Sequence, residues 1–349
     1  MMKTYKLTIR PLTSFRTPLQ SDTIFGHLMW ALRYTEGEDT LVQFLARYRD
    51  GDPPLLVSAG FPEGTLPVPV LGPEPKDPKE RERNPANEVV GAMLHKALED
   101  GRYLPLPQWH QLAQNVSART LKGLLSDART RLRELKKEEQ EHLVTRTAVD
   151  RITGSARKGR LFVAEETFYG PGRKFEIWHK LDESDDKLLE RLARWWRWIQ
   201  RNGFGRGKST GHGAFRIVGQ GLVEAGAELP QVANPNGFVT LSAWVPRSGD
   251  STNPGDPTGV TYRTRVKRGK LAEALALSSP WKKPLLMLEP GAVARLSKKD
   301  GGLRGWYGGL VAGVHWPTPD VPDGERDIMQ DIVQYGYAFP LPVHIEEGA

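Results

Sequence analysis

Gly203-Phe204-Gly205-Arg206-Gly207-Lys208-Ser209-Thr210-Gly211-His212-Gly213 is the stretch on which the reading of this chain turns. Residues 185–201 before it are amphipathic. Leu188, Leu192, Trp195 and Ile199 recur at spacings of four, three and four, the period of a helix with one buried face. Residues 214–218 after it (AFRIV) read as a strand. Five glycines in eleven positions permit positive φ and close approach of another chain segment. Arg206 and Lys208 add positive charge, and Ser209 and Thr210 add hydroxyls. Such a loop is suited to holding a phosphate backbone with main-chain N–H groups, and the plain alternative is a structural turn. It is not a nucleoside-triphosphate loop, although it contains Gly-Lys-Ser. That motif needs a glycine five residues before the Gly-Lys pair, where Asn202 stands, and it runs strand, loop, helix. Here the order is helix, loop, strand.

Working outward, residues 3–12 alternate, with Tyr5, Leu7 and Ile9 against Lys6, Thr8 and Arg10, as in a half-buried strand. A turn with Pro11, Ser14 and Pro18 leads to Ser21-Asp22, a good helix N-cap pair. Ile24, Phe25, Leu28, Met29 and Leu32 then form a helical apolar face. Strand-like pieces follow at 55–59 and 66–70, then a polar, proline-containing stretch at 72–87 that is expected to be mobile. The charged segment 119–143 predicts an exposed helix. Together these elements spell βαββαβ over residues 3–219, the ferredoxin-like arrangement that RNA-recognition domains also use. Residues 222–236 read as a linker. A second half opens with an alternating strand at 238–245. It continues through the basic Tyr262-Arg263-Thr264-Arg265-Val266-Lys267-Arg268 and the apolar 285–288, and closes on Tyr335-Gly336-Tyr337-Ala338-Phe339-Pro340-Leu341-Pro342-Val343. The fold expected is therefore α+β, with a ferredoxin-like domain over 1–221 and a degenerate one over 237–349. Trp196 and Trp198 fall off the helical stripe, which leaves them to core packing or to contact with a second domain or a partner.

The 349 residues are enough for two cores. Lys and Arg number 49 against 42 Asp and Glu, a formal charge of +7 that fits a polyanionic partner. With no cysteine, disulfides, thiolate metal sites and cysteine nucleophiles are all excluded. The eight histidines lack metal-ligand spacing, so no metal and no cofactor are expected. No long apolar run is present, and residues 1–7 lack the apolar centre of a signal peptide. The expectation is a soluble cytoplasmic protein with no membrane partner.

Three segments carry chemistry. The first, residues 14–27 (SFRTPLQSDTIFGH), sets hydroxyls, Arg16 and His27 around a helix start, where free N–H groups favour an anion. Ordinary capping by Ser21 or Asp22 is the alternative there. The second, residues 146–169 (RTAVDRITGSARKGRLFVAEETFY), crowds basic residues among Thr, Gly and Ser and then alternates from Leu161. It reads as a hairpin with a cationic tip suited to a nucleic-acid backbone, or as a solvated loop. Glu165 and Glu166 point to opposite faces of its strand, which suits polar contacts at the hairpin base rather than a metal site. The third segment is the glycine loop itself.

Taken together, SDTIFGH, TAVDRITGSARKGRLFVAEETFY, GFGRGKSTGHGAF and YGYAFPLPV resemble the RAMP superfamily of CRISPR proteins. More narrowly, they resemble the subunit of type III-A (Csm) effector complexes that caps the 5′ tag of the crRNA. The resemblance spans the chain except for residues 72–90 and 119–143. It implies two ferredoxin-like domains, a glycine loop packed near the first helix, and a projecting thumb hairpin at about 145–170. It also implies a subunit that grips the crRNA tag, binds the large polymerase-like signalling subunit and the first backbone RAMP subunit, and displaces a nucleotide of the guide–target duplex with its thumb. The RNA-binding positions it implies are Arg16, Ser21, Thr23 and His27 at the helix start, Arg151, Thr153, Arg157 and Lys158 on the thumb, and Gly205, Arg206, Lys208 and Ser209 in the loop. Phe15, Phe25 and Phe204 are possible stacking surfaces but read as core.

Two other classes compete with this reading. Related RAMP proteins cleave pre-crRNA without metal, and His27 with Lys208 or Arg206, or alternatively His212, would be the candidates for that chemistry. A partner-binding module that never touches RNA is the third class, and the cationic loop and thumb argue against it. The expectation is a binding subunit, not an enzyme.

Overall fold

The computed structural model describes residues 2–71, 102–248, 250, 259–271, 281–296, 302–314 and 332–346, so the stretch 72–87 lies outside the described residues. The chain starts with β1 (Met2–Pro11), α1 (Ser21–Glu36), α2 (Glu38–Arg49), β2 (Leu55–Pro62) and β3 (Thr65–Pro67). It continues through β4 (Tyr103–Pro105), α3 (Leu106–Leu112), α4 (Ala118–Lys137), β5 (Glu139–Val149) and β6 (Ala156–Tyr169). Then come β7 (Phe175–Asp182), α5 (Leu188–Asn202) and β8 (Phe215–Glu224). The first sheet has the order β2-β7-β1-β8 with every neighbour antiparallel. With β2 and β7 taken as strands two and three, that is the ferredoxin-like order, and residues 63–174 form an insertion between them.

The periodicities explain the burial. Leu7 and Ile9 point inward from β1, and Ile24, Phe25, Leu28, Met29 and Leu32 form the buried face of α1. On α5 the stripe Leu188, Leu192, Trp195 and Ile199 is buried. Each such side chain contributes about 1.5–3 kcal/mol on leaving water. Trp196 is buried as well. Its indole N–H donates to His179 Nε2 at 3.1 Å, and its ring meets Phe215 edge-on, so it belongs to the layer between α5 and the sheet. Trp198 stays half-buried and stacks on Tyr34. The N-cap of α1 is Gln20 rather than Ser21 or Asp22, and no side chain caps it. The charged segment is helical only to Lys137, and from Glu139 it is already strand β5.

β5 and β6 make a hairpin paired from Glu139↔Tyr169 to Val149↔Ala156, about 35 Å long at the usual rise per residue. It starts six residues before the expected thumb (139 against 145). At its tip, Asp150 Oδ1 accepts the N–H groups of Ile152 and Thr153, and Gly154 takes a φ of +66°. Ile152 is 96% exposed. Leu143, Leu161 and Val163 are exposed along one face of the hairpin.

The second half comprises β9 (Gly237–Thr240), β10 (Val260–Thr261), β11 (Thr264–Lys267) and β12 (Leu285–Leu288), followed by β13 (Val293–Arg295), β14 (Tyr307–Val311), β15 (Gln334–Ala338) and β16 (Pro340–Val343). Its four-stranded sheet runs β10-β13-β9-β16, again antiparallel throughout. Numbered in its own chain order, that is 2-3-1-4, the same order as the first sheet. No helix joins these strands among the described residues, which is the sense in which this ferredoxin-like unit is degenerate. β11–β12 and β14–β15 are separate two-stranded ribbons. The opening strand stops at Thr240 rather than Val245, because Trp244 bridges to Leu288 of the β11–β12 ribbon instead.

The two sheets share one core. Phe25 stacks on Tyr335 at 4.5 Å, and Tyr48 meets Tyr337 edge-on at 5.6 Å. The Tyr337 hydroxyl donates to Tyr48 O, and the Tyr335 hydroxyl accepts from Val57 N–H. Val239, Leu241, Phe339, Leu341 and Val343 continue the same apolar cluster. A smaller core forms around Phe238, Trp244 and Tyr307.

Candidate nucleic-acid interface

The glycine loop leaves the end of α5 and folds back onto residues 13–17 and the first turns of α1. Gly213 N–H donates to Ser14 O, and Phe204 N–H donates to Gly213 O, each at 2.9 Å. Gly213 sits at a φ of +71°, and a Cβ there would stand 1.9 Å from Phe204 O, so no side chain fits. Gly205 is tight in the same way, because a Cβ would come within 2.7 Å of Thr17 Cβ. The Phe204 side chain is buried between Phe15 and the His27 ring.

Two amides that the sequence offered to phosphate are engaged internally. Gly205 N–H donates to His27 Nε2 and Arg206 N–H to Thr17 Oγ1, both at 2.9 Å. An imidazole nitrogen that accepts a hydrogen bond carries no proton, so His27 holds its hydrogen on Nδ1. What the loop presents outward is side chains. Arg206 and Ser209 are exposed, and Lys208 is half-buried on a 3-10 turn (Lys208–Thr210).

The base of the β5–β6 hairpin is joined to this loop by a charged cluster. Glu166 is 3% exposed. Its Oε1 accepts from Arg16 Nε at 2.9 Å and from Arg146 Nη2 at 2.6 Å. Burial pushes the Glu166 carboxyl up, but the hydrogen bonds and charges of Arg16 and Arg146 outweigh it and hold the group down at about 2. Arg146 Nη2 also lies 3.3 Å from His212 Nε2, and His212 Nδ1 lies 2.9 Å from Ser14 Oγ. A guanidinium can only donate, so Nε2 accepts and the Nδ1 hydrogen points to Ser14. The Ser14 hydroxyl then donates to Glu166 Oε2 at 3.4 Å. Burial, and then the Arg16 charge, lower the His212 pKa and favour the neutral ring this chain of donors requires. Glu165 is exposed on the opposite face, so the alternation expected of this pair holds.

The remaining sequence candidates divide by position. Ser21 is fully buried, and its hydroxyl accepts Ala243 N–H at 2.9 Å. At this helix start the Ser21 hydroxyl thus satisfies a buried amide of the second half. Thr23 Oγ1 accepts from Lys267 Nζ at 2.8 Å. Arg16 points inward to Glu166 with a side chain 10% exposed. Arg151 and Thr153 lie exposed at the tip of the β5–β6 hairpin, and the Arg157 and Lys158 side chains lie outside the described residues. Arg16, His27, Gly205, Arg206, Lys208 and Ser209 are thus brought to one place, and the hairpin-tip residues to another.

Sequence reasoning passed over Arg146, Thr17 and Ser14 as individual contributors. The signal for Arg146 lay in its sharing a hairpin face with Glu166, four residues along from Glu166's direct partner His142 (Arg146 itself pairs with Phe162). Among the described residues, no three His, Cys, Asp or Glu side chains are grouped to hold a metal ion, and no helix is long and apolar enough to cross a membrane.

No family model and no curated protein matches the chain. Solved structures do match in fold. A chain of the Csm3-Csm4 subcomplex in the type III-A CRISPR-Cas interference complex superposes with a TM-score of 0.58 at 12% identity, covering 98% of this chain and 100% of that one. A chain of the Csm1-Csm4 cassette in complex with pppApA gives 0.54 at 16% identity, with 99% of each chain covered. The cassette with AMPPNP gives the same TM-score, identity and coverage. At these identities the likeness establishes a shared fold over essentially the whole length.

Proposed function

We propose that this chain is the RAMP subunit of a type III-A CRISPR interference complex that holds the repeat-derived 5′ tag of crRNA. The observation that carries the reading is the Glu166 cluster, which locks a cationic glycine loop, the segment leading into the first helix and the base of a long hairpin into one unit. The whole-length fold shared with structures containing Csm4 supports it. Arg206, Lys208 and Ser209 supply outward contacts to phosphates, which position a strand without reading its sequence. The Gly205 and Arg206 amides keep the loop rigid instead of cradling the anion. The hairpin, with Ile152 at its tip, is the part that would intrude into the guide–target duplex and displace a nucleotide. The large polymerase-like subunit and the backbone RAMP subunit are the protein partners.

The subunit is proposed to bind without cleaving. His27 Nε2, the nitrogen a general base would use, already accepts Gly205 N–H. The test is binding and cleavage of labelled crRNA, with and without its tag, in the absence of metal. R206A/K208A should weaken binding and make the salt dependence shallower by about 1.4, two phosphate contacts on a single strand. Tagged RNA should remain intact. Metal-independent cleavage that disappears in His27→Ala would replace this reading with a processing nuclease.

A further inference from the structure

The basic strand of the second half has no part in the interface above, yet it is the most cationic segment of that half. Residues 262–270 and 281–288 contain seven Lys or Arg and no Asp or Glu. They fold as the ribbon β11–β12 with its flanks, paired Thr264↔Leu288, Arg265↔Met287, Val266↔Leu286 and Lys267↔Leu285. Period-two alternation then gives the ribbon two faces of different character.

The inward face meets the start of α1. Arg265 Nη2 and Lys267 Nζ reach the buried Asp22 carboxylate at 2.9 and 2.7 Å. Gln334 Nε2 donates to the same carboxylate at 2.9 Å. Beside them, Lys282 Nζ donates to Val333 O and Gln334 Oε1. Burial pushes the Lys282 ammonium down to about 8, with Asp22 opposing and Lys267 adding to the shift. One carboxylate thus faces three cations, and the region keeps a net positive charge.

The outward face is open. Val266 and Leu286 sit directly opposite one another at 57% and 58% exposure. Arg263, Arg268, Lys270 and Lys283 are exposed around them. Tyr262 is exposed, and Trp281 is 56% exposed with Lys270 Nζ over its ring at 5.6 Å. The centres of protein–protein interfaces are depleted of charge, whereas here cations surround the apolar pair and residues 262–270 and 281–288 carry no carboxylate, the nearest in sequence among the described residues being Glu289 at the ribbon's end. Exposed aromatic rings among cations are the composition of a single-strand platform, with phosphates held by charge and bases stacked on rings.

We infer that the β11–β12 ribbon is a second contact for single-stranded nucleic acid, separate from the glycine loop, with Arg263, Arg268 and Lys283 on phosphates and Trp281 or Tyr262 beneath a base. The inference rests on the RNA-binding reading above and extends the path of the strand onto the second half. Asp22 positions the ribbon through Arg265 and Lys267, so the outward residues can be changed without disturbing that anchor.

The test compares the intact chain, the loop variant R206A/K208A and the ribbon variant R263A/R268A/K283A. Anisotropy of a labelled crRNA is followed over a salt series, with circular dichroism to verify folding. Three lost phosphate contacts should make the ribbon variant's salt slope shallower by about 2, so its loss of affinity between roughly 0.05 and 0.2 M salt shrinks about 20-fold relative to the unaltered chain. A ribbon variant that binds as tightly and as salt-sensitively as the parent, while the loop variant weakens, overturns the second contact and leaves the loop reading intact. The reverse pattern upholds the ribbon and overturns the loop. A ribbon variant with unaltered RNA binding that no longer assembles with the other subunits reassigns the face to protein and overturns the inference. Failure of the parent chain to bind RNA in a salt-dependent way overturns both.

Discussion

Replacing Glu166 with glutamine is expected to cost about 3 kcal/mol of folding stability, because removing one member of a buried ion cluster leaves the others uncompensated. Arg16 and Arg146 would then converge on a neutral amide. The pH dependence gives an independent check. Glu166 is held at about 2 in the folded chain against an ordinary value of 4.5. A group whose folded pKa is depressed contributes its stability above the unfolded value and loses it as pH falls through the folded value. The difference between parent and Glu166→Gln should therefore be full near neutrality and narrow as pH falls from about 4.5 toward 2. Urea midpoints measured across that range decide the matter. A variant within about 0.5 kcal/mol of the parent at pH 7 would mean the cluster is an ordinary surface pair.

Gly213→Ala is the second change expected to be severe. The residue would have to adopt the left-handed region, which costs roughly 1–2 kcal/mol for an L-residue. Its methyl would also lie 1.9 Å from Phe204 O, a backbone atom that cannot rotate away. Relieving the clash moves Phe204 as a whole, which strains the bond from its N–H to Gly213 O and pulls its ring from between Phe15 and His27. The combined cost should exceed about 3 kcal/mol, with overpacking adding to strain. Limited proteolysis within residues 203–213 should accelerate in parallel. Gly211→Ala provides the control: it shares the backbone strain at a φ of +84° but has open space around its Cβ. It should lose only the backbone part, roughly 1–2 kcal/mol. Equal effects at the two positions would show that the close approach to Phe204 is unimportant.

The elements that carry regular periodicity were legible in the chain. The α1 and α5 stripes and the alternation of β1 predicted their buried faces residue by residue, because a single elementary period generated each. Trp196 lay off the α5 stripe with core packing and partner contact both open, and core packing holds because the sheet below α5 is wide enough to bury a second row of side chains, a property of β7 and β8 rather than of the helix. The partner of Ser21 escaped for a related reason. A hydroxyl at a helix start reads as a cap, and only the arrival of Ala243, 222 residues later, shows which amide it serves. The glycine loop was recognised by composition, but the direction of its amides was not. That direction depends on His27 and Thr17, whose partnership with Gly205 and Arg206 leaves no local trace. The hairpin begins before residue 145 because charged residues suit an exposed helix and an exposed strand equally well, so the boundary near Glu138 had no signal of its own.

The shared core also sets the order in which the protein can be made. Phe25 and Tyr48 belong to helices formed from the first fifty residues, yet Tyr335 and Tyr337 cover them, and Asp22 waits for Gln334 across 312 positions. Contacts this distant in sequence slow folding, since the intervening chain must be closed into a loop before they form. On the ribosome, the patch of α1 around Phe25 therefore stays uncovered until Tyr335 emerges, although β2 and α5 cover the rest of that face earlier, and exposed hydrophobic surface in that interval invites aggregation or chaperone capture. Residues 334–343 act as a late-arriving clasp, and the nascent protein cannot finish either half without the other.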